Sequence, residues 1–154
     1  MSAALRWSLG LLAWGAAALA ALAINAFPGE YSHALCGPWG CLPPLQALVA
    51  MHTFWVVLLV PPTAFALRRL SPSGLRFLGA VVAGGGVVGV AVLIVRDLVA
   101  WDPYMQEENR LYVLARAAYA VAMMTDVPLC QLTIAGLVFA VAGLRRGRDA
   151  RRAL

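Results

Sequence analysis

Four long apolar runs, with most of the charges confined to the segments between them, constrain what this chain can fold into. A lipid bilayer has a hydrocarbon core about 30 Å thick, which a helix of about 20 apolar residues crosses. The runs cover residues 7–27, 45–67, 75–95 and 127–144. Because each run is long enough to cross, the sequence predicts an all-α integral membrane protein. Its one domain, residues 1–154, is predicted to be a bundle of four transmembrane helices.

Composition excludes the main soluble alternatives. Hydrophobic residues make up 62% of the chain and charged residues 12%, whereas a soluble domain has about 45–50% apolar and about 25% charged residues. The charges are too few to cover a water-facing surface. An ordinary cytosolic enzyme, a disordered chain and a nucleic-acid-binding arm are therefore excluded, and the expected surroundings are the lipid bilayer. The absence of lysine beside frequent alanine, glycine, valine and leucine indicates a bacterial source.

The positions of the arginines predict the orientation in the membrane. Loops on the cytoplasmic side carry an excess of basic residues. Nine of the 12 arginines lie at the amino end, between the second and third runs, and in the tail 145–154, whereas three lie on the other side. The sequence therefore predicts cytoplasmic termini, outward-facing loops 28–44 and 96–126, and residence in the inner (cytoplasmic) membrane.

The first run has a second interpretation. Arg6, the apolar stretch and the tripeptide Ala21-Leu22-Ala23 are also typical of a secretory signal peptide. The apolar region of a signal peptide is about 7–15 residues long, so the longer run here favours a retained span. Cleavage of residues 1–26 is the alternative, and it would leave three spans with the same loop orientation.

The segment that precedes the fourth run predicts an extra helix. Apolar residues recur at helical spacing within residues 107–126, at Leu111, Leu114, Ala118 and Val121. We interpret this segment as a helix that lies in the outer interface of the membrane. The alternative is one long helix that continues into the fourth run.

Prolines predict two local features. Asp126, followed by Pro128, is typical of a helix start and favours a break near residue 125. Pro61 and Pro62 lie in the last turns of the second run, which they are expected to kink or fray.

Two cysteines lie close together in the first outer loop. Cys36 and Cys41 are separated by Gly, Pro, Trp and Gly, which allow a tight closure. Because the loop is predicted to face an oxidising compartment, we expect a structural disulfide between them. A redox-active pair is one alternative. A metal site formed by His33, Cys36 and Cys41 is another, since zinc and copper accept this ligand set.

The layout of four spans, with a cysteine pair just before the second span, resembles the DsbB-type quinone-linked thiol oxidases and their vitamin K epoxide reductase relatives. The resemblance implies that Cys36 and Cys41 exchange electrons with a quinone. It covers the layout and not the motif, because those families use a Cys-x-x-Cys pair. The DsbB-type enzymes also have a second cysteine pair in the other outer loop, and loop 96–126 contains no cysteine.

Polar residues gather toward the outer half of the predicted bundle. They are His52, Arg96, Asp97, Asp126 and Gln131. Polar groups inside a membrane are costly and usually face one another or a cavity. We expect a network that includes an Arg–Asp or His–Asp contact and orients the helices. The alternative is an outward-facing ligand site for a quinone, a lipid or a small molecule, with His52 handling protons.

Small residues predict close helix packing. Gly85 and Gly89 form a GxxxG pair in the third run, and such residues let helix backbones approach closely in lipid. Packing within the chain is one interpretation. Contact with a membrane-protein partner, or with a second copy of the chain, is the other.

Taken together, these features favour a small non-enzymatic membrane protein that acts as a subunit, scaffold or assembly factor. Its disulfide-bonded outer loop is expected to contact the partner. The alternatives are a membrane thiol–disulfide oxidoreductase using Cys36 and Cys41, and a quinone- or lipid-binding protein. No cofactor is expected for the first function, and a quinone is the cofactor of the alternatives.

Overall fold

The structure, a computed structural model, describes residues 3–27, 36–101 and 107–152. Five α-helices account for most of them: α1 (Ala3–Ala23), α2 (Leu45–Arg69), α3 (Pro72–Trp101), α4 (Val113–Ala122) and α5 (Leu129–Arg152). Short 3-10 helices follow α1 (Ile24–Ala26) and precede α4 (Glu107–Tyr112). The strands β1 (Cys36–Gly37) and β2 (Gly40–Cys41) form an antiparallel hairpin.

The predicted all-α class is confirmed. Helices α2, α3 and α5, and the segment Leu5–Ala26 that includes α1, are long and apolar enough to cross a membrane. The extra helix predicted before the fourth run is present as α4. The predicted break is also present, because α4 ends at Ala122 and α5 begins at Leu129.

Helix α3 extends beyond the apolar run that predicted it. It begins at Pro72, where proline is tolerated because the first N–H groups of a helix have no partner. Ser71 caps this end, since the Gly74 N–H donates to Ser71 Oγ at 3.2 Å. At the other end the helix continues past Val95 to Trp101.

Pro61 and Pro62 do not end α2, which stays helical to Arg69. Its last turns therefore do not fray, and the kink stays a prediction. Proline lacks an N–H, so Pro61 leaves the carbonyl of Val57 without its helical donor. The indole Nε1 of Trp14 donates to that carbonyl at 2.9 Å. This side chain thus replaces the missing backbone bond and joins α1 to α2.

Helices α3 and α5 form the most extensive contact in the described part of the chain. Glycines make this contact possible. A Cβ atom on Gly79 would lie 2.5 Å from the Ala140 backbone nitrogen, and one on Gly136 would overlap Ala83. Helix α2 also packs against α5, and α1 packs against α2.

The GxxxG pair of α3 divides between two environments. A Cβ on Gly89 would lie 2.9 Å from Leu129, so Gly89 packs within the chain. A Cβ on Gly85 would meet nothing within 4 Å. Gly85 therefore faces away from the other described helices.

We predict that the Trp14 bond compensates for Pro61. Trp14→Phe removes the donor and should lower the free energy of unfolding by about 1 kcal/mol beyond its packing cost. In a chain with Pro61→Ala, the new N–H at position 61 bonds the Val57 carbonyl, so Trp14→Phe should cost less. Denaturant titration of the four variants in detergent measures the difference. Equal costs in both backgrounds would contradict this account.

We also predict opposite effects for two glycines of α3. Gly79→Ala forces α3 and α5 apart and should lower the free energy of unfolding by about 1–3 kcal/mol. Gly85→Ala, the matched control, adds the same methyl group in open space. It should leave stability unchanged or raise it by up to about 1 kcal/mol through helix propensity. Thermal unfolding in detergent compares the two, and similar losses would refute the assigned packing.

Candidate functional site

The hairpin between α1 and α2 is closed by the Cys36–Cys41 disulfide, as predicted. Its strands pair Cys36 with Cys41 and Gly37 with Gly40. Pro38 and Trp39 form the turn, and proline followed two residues later by glycine is a sequence that favours a type I turn. Gly40 has φ +118°, a conformation that side chains rarely adopt, so glycine is required there.

Trp39 folds back over its own hairpin. A Cβ on Gly37 would lie 2.5 Å from the Trp39 ring, so the indole covers the bare backbone of Gly37. The same ring contacts Tyr112, just before α4, with 5.5 Å between ring centroids. Trp39 thus attaches the hairpin to the segment that leads into α4.

Arg116 of α4 connects three parts of the chain. Its Nε and Nη2 donate to the two carboxylate oxygens of Asp97 on α3, at 2.6 and 2.7 Å. Its Nη1 donates to the carbonyl of Trp39 at 2.6 Å. The predicted Arg–Asp contact is therefore present, and the same guanidinium also holds the hairpin. Both charged side chains are largely shielded, with 16% of Arg116 and 28% of Asp97 exposed.

Aromatic rings surround this guanidinium. Its carbon lies 4.6 Å from the ring centroid of Tyr119 and 5.7 Å from that of Trp101. Rings at such distances attract a cation through their electron-rich faces. A Cβ on Gly40 would lie 3.1 Å from both Arg116 and Tyr119, so the hairpin backbone touches this cluster directly.

A second polar pair lies nearby, between α2 and α5. The Nε2 of Gln131 lies 2.8 Å from the Nδ1 of His52, and the His52 Nε2 lies 3.4 Å from the carbonyl of Ala122. If the amide donates to Nδ1, then Nε2 carries the hydrogen and donates to the end of α4. Gln131 is 8% exposed, and its Oε1 has no hydrogen-bond partner within the described ranges.

Trp55 gives α2 another contact with the segment between α4 and α5. Its Nε1 donates to the carbonyl of Thr125 at 2.6 Å. Carbonyls at and beyond the end of a helix lack helical donors. His52 and Trp55, one helical turn apart, therefore supply donors where α4 ends.

A cavity of about 460 Å³ opens beside the Arg116 cluster. It is lined by charged residues from α3, from α4 and from the segment before α5, namely Arg96, Asp97, Arg116 and Asp126. Its other walls are mainly apolar and include Leu93, Ala100, Met123, Met124 and Val127. The predicted ligand residues thus fall into two groups. Arg96, Asp97 and Asp126 line the cavity, whereas His52 and Gln131 pair between α2 and α5.

The described residues do not form the alternative metal site. Its member His33 lies outside the described ranges. The sulfurs of Cys36 and Cys41 are bonded to each other. Cys130, beside Gln131 on α5, is a free thiol of intermediate exposure.

Two contacts of the site could not be predicted from the sequence. The Trp39 carbonyl is a backbone group, which no pattern of side chains reveals as the partner of Arg116. No local pattern around Trp55 indicates that its indole donates to Thr125, which lies 70 residues away.

Comparison with known proteins gives no family for this chain. No family model, curated protein or solved structure matches it significantly.

We predict that Arg116 controls the order of the hairpin. Arg116→Lys keeps the charge but cannot donate in one plane to both Asp97 oxygens and to the Trp39 carbonyl. A water-soluble thiol should then reduce the disulfide several-fold faster, and the free energy of unfolding should fall by about 2 kcal/mol.

Arg110→Lys is the control for this prediction. Arg110 is exposed and makes no hydrogen bond or ion pair in the part of the chain that the structure describes. Mass spectrometry after alkylation follows the reduction of the disulfide in both variants. A wild-type reduction rate in Arg116→Lys would show that the guanidinium does not hold the hairpin.

Proposed function

We propose that this chain is a small non-enzymatic membrane protein that presents its hairpin to a partner, as a subunit, scaffold or assembly factor. In this proposal its four long helices form a bundle in the inner membrane of a bacterium. Both termini are cytoplasmic, and the hairpin and α4 lie on the outer side. The nine-to-three distribution of arginines supports this orientation.

The attachment of the hairpin to α3 and α4 is the observation that carries the proposal. The disulfide closes the loop, Trp39 contacts Tyr112, and Arg116 holds the Trp39 carbonyl. A surface that already has its bound shape loses less conformational entropy when a partner binds. This arrangement suits recognition of a partner, because the loop keeps one shape.

Exposed leucines lie close in sequence to Tyr112 and support a docking role. Leu111 of the 3-10 helix is 88% exposed and Leu114 of α4 is 84% exposed, although Arg116 and Ala120 of α4 are shielded. We propose that these leucines contact the partner or the lipid interface beside it. On α3, the open side of Gly85 supports close approach of a partner helix or of a second copy.

A thiol–disulfide oxidoreductase is the second candidate function. The exposure of both Cys36 and Cys41 favours it, because a disulfide can be attacked only where a thiolate reaches it. The chain has three cysteines, so Cys130 is the one thiol left to relay electrons. A relay between two cysteine pairs within this chain is therefore excluded, and an external acceptor such as a quinone would be needed.

Thiol trapping in intact cells separates the two functions. A membrane-impermeant maleimide is added with and without prior reduction, and the mass shift of the Cys36–Cys41 peptide is read. We expect full labelling after reduction and none before, whether or not respiration is blocked, because a structural disulfide does not turn over. A Cys130→Ser variant is the control and should behave identically.

Two outcomes would contradict the scaffold function. One is a reduced fraction that rises when respiration is blocked. The other is a mixed disulfide trapped by Cys41→Ser, since an exchanging pair accumulates such an intermediate when one cysteine is removed. Either outcome would move the oxidoreductase function to first place.

A further inference from the structure

The cavity of about 460 Å³ contains two charges of opposite sign that the fold does not neutralise. Arg116 and Asp97 pair with each other. Arg96 and Asp126 also line the cavity, and neither makes a hydrogen bond or ion pair in the described ranges. Both are exposed. Among the residues that the structure describes, the cavity therefore offers one free cation from α3 and one free anion from the segment before α5.

Neither charge has a structural partner among the described residues. Charged side chains of membrane helices usually pair with one another or face a cavity. Arg96 and Asp126 line one cavity without forming an ion pair. Asp126 does not cap α5 either, because none of its side-chain atoms bonds a backbone N–H among the described residues. Within the described ranges, both charges are therefore available to a ligand.

The walls of the cavity indicate where it lies relative to lipid. Leu93 and Val127 are apolar, and Trp101 and Tyr119 lie beside Arg116 at the same end of the helices. Tryptophan and tyrosine are enriched where a membrane meets water. The cavity volume falls within the range of about 300–1,000 Å³ that is typical of sites for small ligands. The position and the volume of the cavity thus favour a lipid headgroup as its ligand.

We propose that the cavity binds the headgroup of phosphatidylethanolamine. The Arg96 guanidinium donates hydrogen bonds to the lipid phosphate, and the Asp126 carboxylate accepts hydrogen bonds from the lipid ammonium. Leu93 and Val127 contact the upper part of the acyl chains. A zwitterionic headgroup offers one opposite charge to Arg96 and one to Asp126. Its binding therefore leaves the net charge of the site unchanged.

Charge complementarity favours this lipid over the other candidates. Phosphatidylglycerol has a phosphate and two hydroxyl groups but no cation, so it can donate only neutral hydrogen bonds to Asp126, which are weaker than those of an ammonium. Phosphatidylcholine has a cation without N–H groups, so it cannot donate hydrogen bonds to the carboxylate. A quinone has carbonyl acceptors and no donor, so it also leaves Asp126 without a partner.

Lipid retention on the purified full-length chain tests the proposal. The detergent-solubilised protein is incubated with equal amounts of the ethanolamine, choline and glycerol phospholipids with identical acyl chains. Native mass spectrometry then measures the lipid adducts. We expect phosphatidylethanolamine to be retained at least about fivefold over each of the others, a difference of about 1 kcal/mol.

Variants assign a separate role to each charge. Asp126→Asn should abolish the preference, because only the carboxylate distinguishes the ammonium from the other headgroups. Arg96→Gln should lower the retention of all three lipids, because each of them carries the phosphate that Arg96 binds. Arg96→Lys keeps a cation for the phosphate and should preserve the preference. Arg110→Gln, the matched control, removes an exposed arginine that does not line the cavity, so the preference should also persist.

Two results would overturn the proposal. The first is equal retention of the three lipids by the wild-type chain. The second is a preference that survives in Asp126→Asn, or a total lipid retention that Arg96→Gln leaves unchanged. Circular dichroism and an intact Cys36–Cys41 disulfide establish that each variant is folded, so a lost preference reports on the cavity and not on unfolding.

Discussion

Carbonyl groups without a backbone donor determine how most of the helices and the hairpin are joined. A carbonyl in a hydrocarbon environment has no water to bond, so a donor from the protein stabilises it. Side chains supply such donors: Trp14 donates to Val57 and Arg146 to Leu67 within α2, His52 to Ala122 at the end of α4, Trp55 to Thr125 beyond it, and Arg116 to Trp39 in the hairpin turn. Lipid is as apolar as leucine, and apolar burial therefore gives little preference for one helix arrangement over another. These polar bonds do give such a preference, and they connect α1, α2, α4, α5 and the hairpin.

The contact between α3 and α5 follows a different principle. Here the lack of side chains at Gly79 and Gly136 brings two backbones together, and dispersion forces act over a long interface. At this close approach, even one added methyl group would overlap the facing helix. The two principles divide the molecule, since α3 and α5 pack by shape, whereas α1, α4 and the hairpin are held largely through hydrogen bonds.

Much of this architecture is predictable from the sequence, because hydropathy and length report directly on burial in lipid. The four apolar helices, the helix before α5, the break between α4 and α5 and the Cys36–Cys41 disulfide all follow from local patterns. The contacts of the site are less predictable, because they join residues far apart in the chain. Apolar periodicity does not say which arginine meets Asp97. It also cannot separate the cavity residues from the His52–Gln131 pair, since both sets lie toward the same end of the apolar runs.

One missed contact did have a signal in the sequence. Pro61 necessarily deprives the Val57 carbonyl of its N–H, so the sequence requires a donor from elsewhere. Few side chains within a membrane helix carry one, and Trp14 on α1 is among them. An unmet backbone group is thus as informative about packing as an apolar stripe.

The guanidinium of Arg116 has a consequence for communication between two surfaces. It lines the cavity and also holds the Trp39 carbonyl of the hairpin. A molecule in the cavity whose binding depends on the position of Arg116 must therefore change the stability of the hairpin. By thermodynamic linkage, a partner that binds the hairpin must change the affinity of the cavity for that molecule by the same factor. The hairpin and the cavity are in this way energetically coupled through one side chain.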